Sequence, residues 1–327
     1  MQVPSEWLGK FTMMMRLDIF CQRGRRSDDM VCQPKFDRIS DIHEDDPQTR
    51  EPFQNTRRDE RRPSRASQAS QRMSKQWWPA IHFQQRPSTP YGIIVLNQPL
   101  NKNALSAVIQ NATFLVCADA GADRMMDYDR DGTYCHRLPD AIVGDLDSVS
   151  EHAIAHYRTR GVEIAHYPDQ DSTDFTKCLK WMRQRVDRQT GSESRLDVLV
   201  IGGLGGRVDQ GFSQVHHLYM VANMPELLRG DIYLFSEQSL TFLLHDGMNE
   251  IHVSRDVFDE SCGVLPVAGR TIISMTGFEW DVHRWPTEFG GQVSTSQHLK
   301  ADLVKIEVFG PRPLFTLELV KSLQATI

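Results

Sequence analysis

The stretch DAIVGDLDSVSEHAIAHYRTRGVEIAHYPDQDSTDFTKCL, residues 140–179, reads as strand, acidic turn, helix, strand, acidic turn, helix. The apolar run at 141–145 ends in a turn carrying Asp145 and Asp147. The run Val162–Tyr167 ends in a second turn carrying Asp169, Asp171 and Asp174. Helices are expected from about Val149 to Thr159 and over Ser172–Val186. In the second, Phe175, Cys178, Leu179 and Met182 recur at i, i+3, i+4 and i+7, one face of a helix. Strands that alternate with helices predict a parallel sheet with right-handed crossovers.

The same pattern extends in both directions. Strands are expected at Tyr91–Gln98, Thr113–Ala120, Leu196–Gly203 and Asp231–Glu237, with helices at Ala104–Ala112, from Ala122 to about Tyr128, and from about Val208 to Ala222. After about Ser239 the runs LTFLLHDG, NEIHVS, TIISMTG, ADLVKIEVFG and PLFTLELV alternate and are separated by Gly, Pro and Asp. That pattern predicts an antiparallel sandwich or small barrel. The expected fold class is therefore α/β: an N-terminal α/β domain with a mainly parallel sheet, then a C-terminal antiparallel β-sandwich domain. The expected limits are 73–238 and 239–327.

Residues 1–72 differ from the rest. From Gln22 to Arg72 they are rich in Arg, Asp, Gln, Ser and Pro, and disorder is expected because so few apolar side chains cannot offset the entropy of ordering. Acidic residues soon after the start argue against a transit peptide, and Met73 opens a run that would serve as a natural start. The chain of 327 residues has a formal net charge of -6, which argues against general nucleic-acid binding. Its six cysteines form no CxxC pair or metal-finger spacing, and Cys117 and Cys178 sit in apolar settings as core residues. A cytoplasmic location is expected. No apolar run approaches the roughly 20 residues that span a membrane.

The chemistry collects where the strands end. In an open α/β sheet, ligands occupy the crevice outside the carboxyl ends of the strands. Asp119 follows FLVCA, Asp145 and Asp147 follow AIVG, and Asp169, Asp171 and Asp174 follow EIAHYP. Carboxylates this dense need a counter-charge, and Mg²⁺ takes one or two of them with waters and substrate phosphates. The glycine-rich turn GGLGGR, Gly202–Arg207, follows VLVI. It is not a G-x-G-x-x-G fingerprint, because Val208 stands where the third glycine would be, and no G-x-x-x-x-G-K-[ST] occurs. Glycines still let backbone N–H groups approach phosphate, and Arg207 offers a planar fork. An acidic turn alone is more often a helix cap; two of them plus a glycine loop, all at strand exits, favour phosphate transfer. On residue type alone, Trp280 in TGFEWDV reads as core and the run Ser294, Thr295, Ser296 as a loop.

With these residues in view, the chain resembles the thiamine pyrophosphokinase family from about Trp77 onward. The resemblance rests on ADAGADR (Ala118–Arg124), VGDLDS (Val143–Ser148), PDQDSTDFTKCL (Pro168–Leu179), GGLGGRVDQ (Gly202–Gln210), TGFEWDV (Thr276–Val282) and GGQVSTSQ (Gly290–Gln297), in that order. Asp209–Gln210 resembles the eukaryotic branch, and the following HHLYM run is fungal in style. Gln297 stands where the family usually has Asn, and Phe278 and Asp281 depart from its TGL-x-W-N pattern.

The resemblance implies transfer of the terminal diphosphate of ATP to the hydroxyl of thiamine, releasing AMP, by a homodimer with thiamine at the subunit interface. It implies Mg²⁺ on Asp145, Asp147 and Asp174, with Asp171 direct or through water. Gln170, Thr173, Gly203, Gly205, Gly206 and Arg207 would bind ATP. Trp280 would stack on thiamine, and Ser294, Thr295 and Ser296 would fix its polar edges. Asp119, Asp171 and Asp209 are the candidates for the group that takes the hydroxyl proton. Two other readings use the same residues: a Mg²⁺-dependent nucleotide phosphohydrolase, and a non-catalytic nucleotide-binding regulator.

Overall fold

A computed structural model describes residues 74–130, 132, 137–191 and 193–326. The expected disorder of residues 1–72, and Met73 as a start, lie outside the described residues. The described chain opens with a short strand, β1 (Lys75–Trp77), that the sequence pattern did not reveal. Six strands then build a parallel array: β2 (Tyr91–Val95), β3 (Phe114–Ala118), β4 (Ala141–Gly144), β5 (Glu163–His166), β6 (Asp197–Ile201) and β7 (Ile232–Phe235). The helices between them are α1 (Lys102–Val108), α2 (Gly121–Arg130), α3 (Glu151–Arg158), α4 (Asp174–Thr190) and α5 (Val208–Ala222). The expected α/β alternation is present throughout. The helix expected over Ala104–Ala112 is α1 followed by a tight 3₁₀ turn at Ile109–Asn111.

Local chemistry sets the helix starts. Asn101, Ser150 and Thr173 each accept a hydrogen bond from the backbone N–H three residues on, capping α1, α3 and α4. α4 then buries Phe175, Cys178, Leu179, Met182 and Val186 along one stripe. Burial of each of the larger side chains contributes about 1.5–3 kcal/mol. Gly191 ends the helix with a positive φ of 93°.

The later strands are β8 (Ser239–Leu243), β9 (Gly247–His252), β10 (Phe258–Leu265), β11 (Thr271–Thr276), β12 (Val282–Thr287), β13 (Ser294–His298), β14 (Leu303–Phe309) and β15 (Leu314–Leu319). They divide between two sheets. One has the order β1-β9-β14-β11-β12. The other holds ten strands in the order β13-β10-β15-β8-β7-β6-β2-β3-β4-β5, so the parallel array continues directly into an antiparallel half. The limit expected at 238/239 falls between β7 and β8, which pair antiparallel. β1 precedes the parallel strands in the chain yet pairs with β9 in the second sheet.

Side-chain alternation divides the core. Ile93 and Val95 of β2 belong to a cluster with Leu105, Met125 and Tyr157 of α1 to α3 and with Ile251, Val304 and Ile306 of the second sheet. Ile94 faces the other way, with Phe175, Leu179 and Met182 of α4 and Leu218 of α5. Among the described residues, no helix is long and apolar enough to cross a membrane.

Candidate active site

The parallel strands run outward from β2 through β3 and β4 to β5, and the chain then returns to place β6 on the other side of β2. This reversal opens a crevice at the carboxyl ends, where such sheets bind ligands. A crevice of about 610 Å³ lies there. Asp119, Asp145, Asp147, Gln170, Asp171, Thr173, Asp174 and Arg207 all border it. The exits of β3, β4, β5 and β6 therefore deliver residues to one place.

Within that set the closest carboxylates are Asp119, Asp145 and Asp174, which can bring one oxygen each within 4.8 Å of one another. The expected metal set had Asp147 in place of Asp119. Asp147 borders the crevice, but its carboxylate accepts a hydrogen bond from Ser148 Oγ at 2.8 Å and is not in the close group. The difference lies in the turns. Asp119 has a left-handed backbone, φ 44°, at the end of β3, whereas Leu146, φ 64°, redirects the chain between Asp145 and Asp147. Gly144 makes the close approach possible. A Cβ there would lie 2.9 Å from Asp119 Cβ and 3.1 Å from Asp174 Oδ1.

A cation is already built in. Lys177 is nearly fully buried, and its Nζ donates to Asp145 Oδ2 at 3.0 Å and Asp174 Oδ1 at 2.9 Å. Burial opposes its charge, but the hydrogen bonds to Asp174 and Asp145 outweigh it, and the ammonium pKa is raised. The hydrogen bond from Lys177 lowers the pKa of Asp145. Asp119 goes the other way. Burial first, then the nearby charge of Asp174, raises its pKa, against hydrogen bonds from the backbone N–H groups of Val149 and Ser148. Lys177 does not complete the site, because Asp145 Oδ1 is buried without a hydrogen-bond partner. An orphaned acceptor beside two more carboxylates is the donor set a hard divalent cation takes.

The phosphate side is more open. Arg207 is the N-cap of α5, and its Nε and Nη2 donate to Asp209 at 3.1 and 2.6 Å. Its guanidinium thus holds the carboxyl of Asp209 below the usual carboxylate range. Gly202 borders the crevice, Gly203 is buried, and Gly205 and Gly206 are exposed on the loop. Gly206 has φ 61°, and a Cβ there would lie 2.0 Å from Gln98 Oε1, so the loop packs on the exit of β2.

Several site residues were missed. Leu96, Asn97 and Gln98 border the crevice after β2, and the strand-exit rule applied to YGIIVLNQ would have found them. Lys177 follows Asp174 at i+3 on α4, a spacing that pairs charges. His217 of α5 is buried, and its Nε2 lies 2.8 Å from Oγ1 of Thr173, the N-cap of α4.

The residues expected to face thiamine lie elsewhere. Trp280 is 54% exposed in the β11–β12 connection, so it is not a core residue. Ser294, Thr295 and Ser296 open β13 rather than a loop, because Ser294, Gln297 and His298 pair with Val264, Cys262 and Ser261 of β10. β13 is one edge of the ten-stranded sheet, and β4, which carries Asp145 at its end, is eight strands away. At about 4.8 Å per strand that is roughly 40 Å along the sheet. Within one chain the two groups are not brought together.

Known proteins are similar to this chain in both of its halves. The family description "Thiamin pyrophosphokinase, catalytic domain" matches residues 105–228, and "Thiamin pyrophosphokinase, vitamin B1 binding domain" matches residues 248–311. Thiamine pyrophosphokinase 1 of Oryza sativa is 32% identical over 230 residues, covering 67% of this chain and 84% of that protein. The thiamine pyrophosphokinase of Saccharomyces cerevisiae is 30% identical over 230 residues, covering 57% of this chain and 72% of that one. In fold, the chain is similar to the thiamin pyrophosphokinase of Candida albicans, with a TM-score of 0.65 at 22% identity over 75% of this chain and 93% of that one. On the strength of the sequence matches across both halves, the chain belongs to the thiamine pyrophosphokinase family.

Proposed function

We infer that this chain transfers the terminal diphosphate of ATP to the hydroxyl of thiamine, giving thiamine diphosphate and AMP. The observation that carries this is the convergence of Asp119, Asp145 and Asp174 in the crevice of a chain that matches both family halves. Residues 73–238 form the half that binds nucleotide and metal, and residues 239–327 the half that binds thiamine.

Asp145, Asp174 and Asp119 would hold Mg²⁺, with Asp147 and Asp171 at the rim; the orphaned Asp145 Oδ1 supports this donor set. Bound there, the ion neutralises phosphate charge and orients the transferring group. Arg207 exchanges Asp209 for phosphate oxygens, and the N-terminus of α5 adds its dipole. Gln170 Nε2, now 3.1 Å from Asp145 Oδ2, and the Thr173 hydroxyl face the same phosphates. The candidate bases narrow to Asp119 and Asp171, which line the crevice, whereas Asp209 does not.

Trp280 stacks on thiamine, and Ser294, Thr295 and Ser296 bind its polar edges. Because Ser294, Thr295 and Ser296 lie on the far edge of the ten-stranded sheet and Gln297 bonds to the backbone of Trp280, the proposed working site forms between two copies: a homodimer. A cytoplasmic location suits the free, buried Cys117, Cys178 and Cys262.

Incubation of the purified protein with ATP, Mg²⁺ and thiamine tests the reading. Thiamine diphosphate and AMP should form in equal amounts. Release of phosphate without thiamine diphosphate would favour the phosphohydrolase, and nucleotide binding without turnover the regulator.

A further inference from the structure

We propose that Gln297 is a positioning residue whose carboxamide clamps the backbone of Trp280 and so presents the exposed indole as the face that receives thiamine. The proposal deepens the functional reading above and rests on it for the ligand, but the clamp itself is a property of this chain.

An indole that is 54% exposed on a connection between strands has little packing to hold it. Its backbone is held instead. Gln297 Oε1 accepts from the N–H of Trp280 at 3.1 Å, and Gln297 Nε2 donates to the carbonyl of Trp280 at 2.8 Å. The side chain thus pairs with both polar groups of one residue, as a neighbouring strand would. Oε1 also accepts from the N–H of His298 at 3.1 Å, so the carboxamide is itself fixed. Gln297 is only 5% exposed, which makes each of these bonds expensive to leave unmade.

The local backbone explains how Gln297 reaches this place. Ser296 has a left-handed backbone, φ 57°, which breaks the alternation of β13. Ser294 is half-buried, Thr295 and Ser296 are exposed, and Gln297 turns in, opposite Cys262 of β10. The connection is pinned on either side as well. Glu279 N–H donates to His298 carbonyl at 2.8 Å, and Phe278 N–H donates to Asp281 Oδ1 at 2.8 Å. The His298 ring lies 5.6 Å from the indole. One side chain therefore links the Ser294–Ser296 run to the orientation of Trp280.

The test uses the full chain with Gln297→Leu, the volume-conserving Gln297→Glu, Trp280→Ala, and the double variant Gln297→Leu with Trp280→Ala. Gln297→Glu keeps the acceptor but turns an oxygen toward the Trp280 carbonyl. Both Gln297 variants should raise the KM for thiamine by about fivefold or more, with kcat and the KM for ATP within about twofold of wild type. The double variant should be no worse than Trp280→Ala within about twofold, because a clamp has nothing to hold once the indole is gone. Thiamine KM unchanged in either Gln297 variant, or equal rises for both substrates, overturns the proposal. A second readout is independent of the reaction: protein labelled with 5-fluorotryptophan, with the Trp280 resonance identified by Trp280→Phe. In Gln297→Glu that resonance should shift or broaden while those of the other tryptophans stay. An unmoved signal overturns the clamp even if the enzyme acts on thiamine; a moved signal in a protein that makes no thiamine diphosphate keeps the clamp and refutes the ligand.

Discussion

Asp174 and Asp147 look alike in the sequence, each an aspartate in an acidic turn, but the fold separates them. Asp174 shares its oxygen with Lys177 and stands in the close group with Asp119 and Asp145. Asp147 stays on the rim, held by Ser148 Oγ. Asp174→Asn is therefore expected to lower kcat on the order of a thousandfold, several kcal/mol of barrier, with little change in Tm. Asp147→Asn should cost clearly less. Equal losses in steady-state rates at saturating Mg²⁺ would return Asp147 to the metal set. Gly144 is the other residue on which the geometry turns. In Gly144→Ala the new methyl would press on Asp119 Cβ and Asp174 Oδ1, and overpacking of this kind typically costs about 1–3 kcal/mol. The expected outcome is a higher Mg²⁺ requirement in a titration of activity together with a modest fall in Tm. An unchanged Mg²⁺ curve would show that the three carboxylates need not close on one point.

The contact between α4 and α5 has its own chemistry. His217 on α5 presents Nε2 to Thr173 Oγ1 at 2.8 Å and to Thr176 Oγ1 at 3.1 Å, while Nδ1 lies 2.6 Å from the carbonyl of Ser213. The carbonyl fixes the proton on Nδ1, so Nε2 accepts from the threonines and the ring is neutral. Burial lowers its pKa in the folded chain. A depressed folded pKa means that the unfolded state binds the proton first. The associated stability is present above the unfolded value of about 6.5 and is lost as pH falls through the folded pKa. His217→Gln should then flatten the fall of Tm between about pH 7 and 5 relative to wild type. Parallel Tm curves for the two proteins would assign the acid sensitivity to other groups. The elements themselves differ in how far the sequence revealed them. Strands β2, β3, β4 and β7 are continuous buried runs, and the amphipathic α4 is strongly periodic, so both were legible. β13 reads STSQH and β1 only KQW, with Trp77 its sole core residue; neither has an alternating apolar pattern, and each pairs with a neighbour, β10 or β9. In the site, residues at strand exits were legible from position alone. That Asp119 rather than Asp147 joins Asp145 and Asp174 depends on two left-handed residues, Asp119 and Leu146, whose conformations no periodicity encodes.

The proposed function asks a second copy to join the crevice residues near one end of the ten-stranded sheet to the Ser294–Ser296 run on its β13 edge. If a two-fold axis relates the second copy to the first, with the β13 edge of each chain at the crevice of the other, each dimer has two equivalent sites. This arrangement makes a quantitative prediction. Asp174→Asn removes the metal side of a site, and Trp280→Ala removes the thiamine side, so each variant alone should be weak at subsaturating thiamine. When the two are co-expressed and assort at random, half of the dimers are mixed. In a mixed dimer one site combines both lesions, and the other combines the intact crevice of the Trp280→Ala chain with the intact Trp280 of the Asp174→Asn chain. The mixture should therefore recover about a quarter of wild-type activity, well above either parent. A chain carrying both substitutions should recover nothing when co-expressed with itself. Were each site built within one chain, the mixture would show only the average of its two weak parents. Light scattering on the same samples, reporting a mass of two chains, would establish that the activity belongs to dimers.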